Sequence, residues 1–586
     1  MINKKTTTMK DIRKYGLMLL SGMMLTSTLV VGTSCSDDDE ASSSTSALWN
    51  DVPGNEVINI TPERNKMLRL YEYDDEGNPV YIKYNDESKG NVLDKDGNPI
   101  QKTKLLNPMQ GWVVYGGLGD GLIDDFEEQY SNFETAEGQD NVFMYGGTMY
   151  VRGAWSDFEP GEGKYIWDET IWNEQHDTIT AKRFRMMRDI AKKYGMKLAF
   201  TFVVASEDKH YNFTPEYVRA AGCGTYPVKT GSFEGWSPYP DDPVFQEKYE
   251  KFLTAFAQKF NDPDVTQFVS GFGLGKWGET HTLRYSTGDE SPREATTEWI
   301  SSLMARLFTR VPIVINYHRC IMSTTDKAGA DLSMAEKLIA MCVDKGFSLR
   351  HDAFGMKQYY QNWERGIATQ YRYQRPIIME GGWVEAQHSD KIDGDGYKDF
   401  ADVRLGEYNE AKGANVNMMD LRYSDKVHTG ETHSWFNTAF NLVKEFISEG
   451  AYRLFPDMVS VPHSVNTGGK ATIVHRWINL GWGYCPTNIP QWDQKYKVCF
   501  ALLNKETGEP LYRFVDEEPL ISDWVKSAPH SYRTSINLAD VAPGEYTWGV
   551  GLVDTTKNNE IGIIISAADE YQTRDGWVKI ADVTVH

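Results

Sequence analysis

The chain has 586 residues, of which 40% are hydrophobic, and its formal net charge at pH 7 is −22. This length exceeds what one hydrophobic core supports, so we expect at least two domains, and the hydrophobic content argues against a disordered chain. The negative charge excludes binding of nucleic acid or anionic lipid through a general electrostatic field and favours neutral or cationic partners.

The N-terminus has the pattern of a secretory signal. Five basic residues precede position 15, and an apolar run follows at 16–32. The small residues before Cys35 resemble a relaxed lipobox, in which the cysteine is acylated, and the acidic run 36–40 resembles the export tag of surface lipoproteins in some Gram-negative bacteria. We expect residues 1–34 to be a lipoprotein signal peptide and Cys35 to anchor an outer-membrane protein that faces the exterior, with this lipid as its one membrane contact. The alternative is an ordinary signal peptide followed by an acidic linker.

The next segments are short. Residues 35–50 are acidic and serine-rich, which predicts a tether, and residues 51–105 predict a small β-rich segment. Two turn signals, at 74–79 and 94–99, lie between β-prone runs and predict hairpins. The second turn also matches part of a calcium loop, but the twelve-residue ligand pattern is incomplete, so the hairpin is favoured and no metal site is expected.

Residues 106–450 alternate apolar β-runs with amphipathic helix patterns, which favours a (β/α)8 barrel, a TIM barrel, with long loops. The predicted strands are 111–115, 148–153, 198–204, 267–274, 313–317, 348–351, 377–379 and 416–421. The predicted helices are 180–193, 243–260, 333–345 and 434–448. A doubly wound sheet is the structural alternative, but no glycine-rich phosphate loop follows the first strand.

Residues 451–586 change to short β-runs separated by glycine, proline, asparagine and aspartate, which predicts an all-β sandwich. The runs are 472–477, 497–502, 534–538, 546–553, 561–566 and 578–585. Besides Cys35 the chain has five cysteines without metal-ligand spacing, so a zinc site is not expected. Cys485 and Cys499 could form a bridge within this domain, which the sequence does not decide.

A glutamate follows two of the predicted barrel strands. Glu279 comes after the fourth strand beside Trp277, and Glu380 comes after the seventh beside Trp383. Active sites of such barrels lie at the carboxyl ends of the strands. Hydrolysis of a glycosidic bond needs one carboxylic acid that protonates the leaving oxygen and one carboxylate that attacks the anomeric carbon. A charge directly after the apolar run 377–379 is also costly unless a site uses it.

Two motifs resemble a known family. Residues 107–112, NPMQGW, look like the opening of glycoside-hydrolase-like barrel lipoproteins, and residues 152–165, RGAWSDFEPGEGKY, are similar to the second-strand signature of the retaining glycosidase clan. Residues 476–481 resemble the sandwich that follows such barrels in families often catalogued as of unknown function. The resemblance covers residues 107–586 and implies Glu279 as the acid/base and Glu380 as the nucleophile of a retaining mechanism.

The resemblance also implies two further assignments. The glutamate of the second-strand signature is structural in the clan, so Glu159 is assigned to the loop and not to the chemistry. The clan usually has an asparagine before its acid/base glutamate, where it binds the sugar 2-hydroxyl, and here Gly278 holds that position. Either another side chain makes this contact, or the chemistry differs, or activity has been lost.

Several side chains at or just after strand ends are candidates for substrate binding: Arg152, Trp155, Trp277, His281, His318, Asp352 and Trp383. Among them Arg152 is a candidate charge partner and Trp155 a candidate sugar platform. We therefore expect a glycoside hydrolase that cleaves a poly- or oligosaccharide and needs no cofactor. Two alternatives stay open: a noncatalytic glycan-binding lipoprotein that keeps the cleft, and a structural protein whose barrel is only a scaffold.

Overall fold

A computed structural model describes much of the chain after residue 51. The described residues are 52–63, 107–119, 125–173, 176–207, 210–326, 331–354, 356, 359–382, 397–422, 431–526, 528–573 and 575–586, with the backbone of three further strands, Arg69–Tyr73, Pro79–Lys83 and Thr103–Lys104. The chain divides into two compact units, Met1–Pro53 and Gly54–His586, and the elements below belong to the second. Within the described ranges, none of the helices is both long and apolar enough to cross a membrane. The predicted lipidation site Cys35 and the candidate Trp383 lie outside the described residues.

The centre of the second unit is a closed barrel of eight parallel strands, as predicted for a (β/α)8 fold. In chain order the strands are Gly111–Gly117, Gly146–Ala154, Lys197–Val203, Thr266–Ser270, Ile313–Asn316, Ser348–Phe354, Ile377–Gly381 and Met418–Leu421, referred to below as barrel strands one to eight. Each strand pairs with the next along the chain, and the eighth pairs with the first. All eight predicted strands are therefore present, although the fourth ends at Ser270 and not at 274.

Helices surround the barrel. The described helices are Phe126–Ser131, Trp155–Phe158, Ile179–Lys193, Glu216–Ala220, Pro243–Phe260, Arg293–Leu307, Leu332–Asp344, Asn362–Tyr371, Phe400–Gly413, Glu431–Thr438 and Phe440–Glu449. The predicted helix 434–448 is in fact two helices that meet at Ala439, whose backbone leaves the helical region. Two small hairpins, Phe133–Thr135 with Gly138–Asp140 and Thr225–Thr230 with Phe233–Pro238, are inserted after strands one and three.

The residues after the barrel form two sheets that are antiparallel except for the short parallel pair of Ser464–Val465 with Val578–Val585, which confirms the predicted β-domain. One sheet has the order Asn55–Asn59, Leu454–Pro462, Lys470–Asn479 and His530–Asn537. The other has the order Ser464–Val465, Val578–Val585, Gly544–Asp554, Tyr496–Asn504 and Pro510–Asp516, with Glu560–Ile563 paired to Gly544–Asp554. The strand Asn55–Asn59 comes from the N-terminal segment, so that segment completes the C-terminal sheet.

Residues 69–104 contribute a separate sheet of three strands, in the order Pro79–Lys83, Arg69–Tyr73 and Thr103–Lys104. Its first two strands are antiparallel and flank the turn signal at 74–79, as the hairpin prediction required. The question of a disulfide is also answered, because Cys485 and Cys499 are both buried free thiols.

The side chains of the barrel strands alternate between two packing layers, as the period of a β-strand requires. Trp112 and Val114 of strand one pack in the outer layer, between strands and helices. Val113, between them, points into the barrel and packs in the same cluster as Phe268 and Trp477, the last of which belongs to the sandwich. The barrel interior and the sandwich therefore share one hydrophobic core at the amino ends of the strands.

Polar contacts reinforce this junction. The side chain of Asn107 accepts a hydrogen bond from the backbone N–H of Ile564 at 2.7 Å and donates to its carbonyl oxygen at 3.0 Å. Asn417, just before strand eight, donates to the carbonyl oxygens of Met109 and Tyr484. The asparagine of the NPMQGW motif is thus a structural link between the amino end of the barrel and the sandwich.

Candidate active site

The inward positions at the carboxyl ends of the strands are mostly polar. Because alternate residues of a strand point inward, the residues two positions beyond the interior core belong to this upper layer. The layer comprises Tyr115, Arg152, Thr201, Ser270, Asn316, Arg350, Asp352, Glu380 and Asp420, one or two from each strand, followed by Arg422 just after strand eight. Charged side chains gather here because the interior below them is apolar and the helical layer outside is filled.

Glu380 lies at the centre of this layer, near the end of strand seven. It is 3% exposed, and its two carboxylate oxygens are ion-paired to different arginines, Oε2 to Arg350 and Oε1 to Arg422. Burial raises the pKa of Glu380, and Arg422 and Arg350 oppose that rise by favouring the charged form. A buried charge without a partner would be very costly, and these two guanidinium groups make the glutamate tolerable at this position.

The network continues around the rim to strands six and five. Arg350 Nε donates to Asp352 Oδ1 at 2.7 Å, and Asn316 Nδ2 donates to Asp352 Oδ2 at 2.6 Å. The backbone N–H of Asp352 returns a hydrogen bond to Asn316 Oδ1 at 3.0 Å. Four neighbouring strands therefore fix the orientation of Glu380 through one chain of charged hydrogen bonds.

Two tyrosines form the aromatic wall beneath the arginines. The Tyr115 and Tyr150 rings meet edge to face at 4.9 Å, with Arg422 over the first and Arg350 over the second. Burial raises the pKa of Tyr150 to about 12, so its hydroxyl stays protonated at neutral pH. These cation–π contacts hold the guanidinium planes and help to explain why three arginines can share a small volume.

Glu279 lies on the long loop after strand four, nine residues past the strand end. The loop runs through left-handed backbone at Gly271, Gly273, Gly275, Trp277, Gly278, Thr280 and Thr282. Tryptophan and threonine rarely adopt positive φ, so the loop holds strain of the kind that clusters at functional sites. The Glu279 side chain is 22% exposed, in contrast to the enclosed Glu380.

Gly278 is required by this loop geometry. Its φ is +79°, and a Cβ there would lie 3.0 Å from the carbonyl oxygen of Phe202 and 3.3 Å from the Val203 side chain. An asparagine, which is usual in the retaining clan at this position, does not fit the loop as it stands. Position 278 therefore has no side chain with which to contact a ligand.

Two histidines hold Glu279. His318 Nδ1 accepts a hydrogen bond from the backbone N–H of Cys320 at 3.1 Å, so its Nε2 carries the proton and donates to the Glu279 carbonyl oxygen at 2.8 Å. Burial lowers the pKa of His318 well below its usual value, in keeping with this neutral form. His281 Nε2 lies 3.3 Å from Glu279 Oε2, and its Nδ1 lies 2.8 Å from the Thr282 hydroxyl.

Arg152 links the two glutamates. Its guanidinium donates to the Trp277 carbonyl oxygen at 2.8 Å, which ties strand two to the loop that carries Glu279. Its charge interacts with those of both Glu380 and Glu279, as does the charge of Arg422. The structure therefore brings the two predicted catalytic residues and Arg152 into one electrostatic cluster at the carboxyl ends of the strands.

Trp155 does not join this cluster, which corrects its prediction as a sugar platform. It is fully buried between the barrel and the helix Pro243–Phe260, where it packs on Tyr249 and Phe252. Its Nε1 donates to Glu159 Oε2 at 2.8 Å, and Glu159 also accepts from the Gly163 N–H and the Tyr217 hydroxyl. Glu159 thus has the loop-stabilising contacts expected of a structural residue.

Sequence reasoning placed His281, His318, Asp352 and Trp277 near the site but missed Arg350, Arg422, Asp420 and Tyr115. The overlooked signal was the alternation of side chains along a strand, since residues two apart point to the same side. Arg350 precedes Asp352 by two residues, and Asp420 precedes Arg422 by two. No group of three or more histidine, cysteine, aspartate or glutamate side chains among the described residues has the arrangement of a metal site.

No protein-family model and no curated protein matches the sequence. Among solved structures, the catalytic domain of a β-amylase from Paenibacillus polymyxa is similar over 58% of this chain and 99% of its own, with 10% identity and a TM-score of 0.36. Endo-glycoceramidase II from a Rhodococcus species is similar over 80% and 99%, with 12% identity and a TM-score of 0.33. An exo-β-1,4-mannosidase from an Opitutaceae bacterium is similar over 57% and 54%, with 10% identity and a TM-score of 0.30. These neighbours are glycoside hydrolases, and likenesses this distant do not assign their activities to the chain.

Proposed function

We propose that this protein is a retaining glycoside hydrolase that cleaves a poly- or oligosaccharide, with Glu380 as nucleophile and Glu279 as acid/base. The observation that carries the proposal is the contrast between the two glutamates. Glu380 is enclosed and held as a carboxylate by Arg350 and Arg422, whereas Glu279 is partly exposed on the loop above and contacts His281. One fixed carboxylate and one accessible carboxyl group in a shared cluster supply the pair of carboxyl groups that glycosidic hydrolysis uses.

In the first step, Glu279 gives its proton to the glycosidic oxygen as the bond from that oxygen to the anomeric carbon breaks. A carboxylate oxygen of Glu380 attacks the same carbon and forms a glycosyl ester. In the second step, Glu279 takes a proton from water, the water oxygen attacks the anomeric carbon, and Glu380 leaves as a carboxylate. The guanidinium of Arg350 or Arg422 stabilises that departing charge.

The test is hydrolysis of a panel of nitrophenyl glycosides and polysaccharides by the wild type and by Glu380→Gln. The wild type should release sugar, and the variant should lose at least about 1,000-fold in kcat because an amide cannot form the glycosyl ester. Glu250→Gln, a change on an exposed helix surface that removes an ion pair with Arg306, is the matched control and should keep full activity.

Glu279→Gln separates the two roles. Nitrophenolate leaves without a proton, so the variant should still form the glycosyl ester from nitrophenyl glycosides but should fail on polysaccharides. Equal loss on both substrates would contradict the acid/base assignment.

A noncatalytic glycan-binding protein is the second candidate, and Gly278 favours it. The position lacks the asparagine that the retaining clan uses, and its backbone excludes a side chain. Absence of hydrolysis across the panel, together with saturable binding of one glycan by the wild type and by Glu380→Gln alike, would establish this function.

We further propose that the protein is exported and anchored at the outer face of the outer membrane through Cys35, on the basis of the N-terminal sequence pattern. Metabolic labelling with a fatty acid should mark the wild type but not Cys35→Ala. Protease added to intact cells should digest the labelled protein, and protection from protease would contradict surface display.

A further inference from the structure

The backbone directly after Glu380 is held by two buried carboxyl groups. The N–H of Gly381 donates to Asp420 Oδ1 at 2.8 Å, and the N–H of Gly382 donates to Glu407 Oε1 at 2.7 Å. The register between strands seven and eight reaches only Met379 opposite Met419, so side chains take over where the strand ladder stops. We call Asp420 and Glu407 the carboxyl clamp.

Glycine at position 381 makes this approach possible. A Cβ there would lie 3.0 Å from Glu407 Oε1 and 3.5 Å from Asp420 Oδ1. Arg404, which is fully buried, is ion-paired to Glu407 and to Glu431 and fixes the clamp from the helical layer. The position of Glu380 is therefore set from both sides, by the arginines at its carboxylate and by the clamp at its backbone.

The second oxygen of Asp420 has a different environment. Asp420 is 1% exposed, and its Oδ2 accepts no hydrogen bond from the described part of the chain. The charged groups that face it are Glu380 on strand seven, Arg350 on strand six and Arg422 beyond its own strand, and the clamp partner Glu407 lies across Gly381. Both arginines already bind Glu380, so an ionised Asp420 would place a second negative charge beside Glu380 with one oxygen undonated.

We propose that Asp420 carries a proton at neutral pH and, together with Glu407, is a positioning residue for Glu380. The positioning role rests on the proposed hydrolase function, whereas the protonation of Asp420 does not depend on that function. Burial and the charge of Glu380 raise the pKa of Asp420 to about 8, and burial raises the pKa of Glu407 to about 7 against the opposing charge of Arg404. At pH values above about 8, Asp420 becomes charged and competes with Glu380 for Arg350 and Arg422, so activity falls.

The protonation of Asp420 can be tested without any substrate, by measuring the melting temperature of Asp420→Asn and of the wild type at pH 5 and pH 8. When folding raises the pKa of a carboxyl group, the free energy of unfolding falls as pH rises from about 4, the pKa in the unfolded chain, to the pKa in the folded protein. The variant lacks that loss, so its Tm relative to the wild type should increase by about 2 °C or more between pH 5 and pH 8. If the Tm difference between variant and wild type stays constant or shrinks, Asp420 does not carry a proton at neutral pH.

Asp516→Asn in the sandwich is the matched control, because it makes the same substitution at a buried aspartate. Hydrogen bonds from His475 and Thr534 lower the pKa of Asp516 despite its burial, so its charged form contributes stability above about pH 4. The control should therefore lower Tm by about the same amount at pH 5 and at pH 8, whereas the Tm difference for Asp420→Asn should change between the two pH values.

Positioning is tested by kinetics of Asp420→Asn and Asp420→Ala on a substrate that the wild type cleaves. Asparagine keeps an acceptor for the Gly381 N–H and cannot ionise, so it should retain at least about a third of kcat and shift the alkaline limb of the pH profile upward. Alanine should lose about 30-fold in kcat with KM changed less than about twofold, because Glu380 is displaced. Equal kcat and unshifted pH profiles for both variants overturn the positioning role. If the wild type is inactive, the positioning role fails together with the hydrolase proposal. The melting comparison still shows whether Asp420 is protonated.

Discussion

At the scale of single residues, the loop before Glu279 shows how one backbone angle limits the chemistry available. Gly278 combines a φ of +79° with a Cβ direction blocked by the Phe202 carbonyl oxygen. Left-handed backbone costs an L-residue about 1–2 kcal/mol, and the blocked Cβ adds a steric cost. Position 278 therefore offers no side chain to a ligand in the candidate site.

This argument predicts that Gly278→Ala is more harmful than an equivalent change elsewhere. Gly288 has nearly the same φ, +78°, but a Cβ at that position would meet no described atom within 4 Å, so Gly288→Ala measures the backbone cost alone. Gly278→Ala should lower Tm further than Gly288→Ala and should also lower kcat, because Glu279 is the next residue. Equal Tm losses would show that the loop relaxes around a side chain.

At the scale of elements, the alternation of strands and the stripes of helices follow directly from the sequence. The helix Pro243–Phe260 was predicted with its observed bounds because its aromatic stripe is long and both ends are marked. Asp242 caps its first turn, accepting from Val244 and Phe245, and Oδ2 of the same side chain accepts from Gly224 at the edge of the inserted hairpin. The cap therefore also ties the hairpin to the helix.

We expect Asp242→Ala to destabilise the protein more than an ordinary loss of a helix cap. Asp331 caps the helix Leu332–Asp344 with comparable backbone contacts but is exposed, and its hydrogen bonds stay within the first turn of that helix. Loss of a cap costs about 1 kcal/mol, and loss of the Gly224 contact adds a further increment. Thermal unfolding should show a larger fall in Tm for Asp242→Ala than for Asp331→Ala, and equal falls would mean that the hairpin is held without Asp242.

At the scale of the whole molecule, the barrel depends on the sandwich. The interior of the barrel and the sandwich share one apolar cluster, and Asn107 and Asn417 hydrogen-bond across their junction. Removing the sandwich would expose that cluster at the amino end of the barrel. An apolar surface of this kind promotes aggregation.

A chain truncated after residue 450 should therefore be insoluble or should melt well below the full-length protein. A variant that begins at Gly54 keeps both the barrel and the strand Asn55–Asn59, and it serves as the control with an expected Tm close to that of the full chain. Solubility and circular dichroism of the two purified variants decide the matter. A folded, soluble barrel without the sandwich would contradict the shared core.

The sequence by itself determined the eight barrel strands, four of the helical segments, the change to a β-domain near residue 450 and the region of the candidate site. These features depend on the local spacing of apolar residues, which can be read directly from the sequence. It also pointed to Glu279 and Glu380, since a carboxylate after an apolar strand is conspicuous.

Only the tertiary structure decided how those glutamates are surrounded. The arginines that hold Glu380 come from strand six and from the end of strand eight, 30 residues before it and 42 after it, and no local pattern pairs them. The burial of Trp155, the free state of Cys485 and the docking of Asn55–Asn59 on the sandwich likewise depend on contacts between distant segments. Pairing across a barrel is a property of closure, because strands that are far apart in sequence meet only once the sheet is complete.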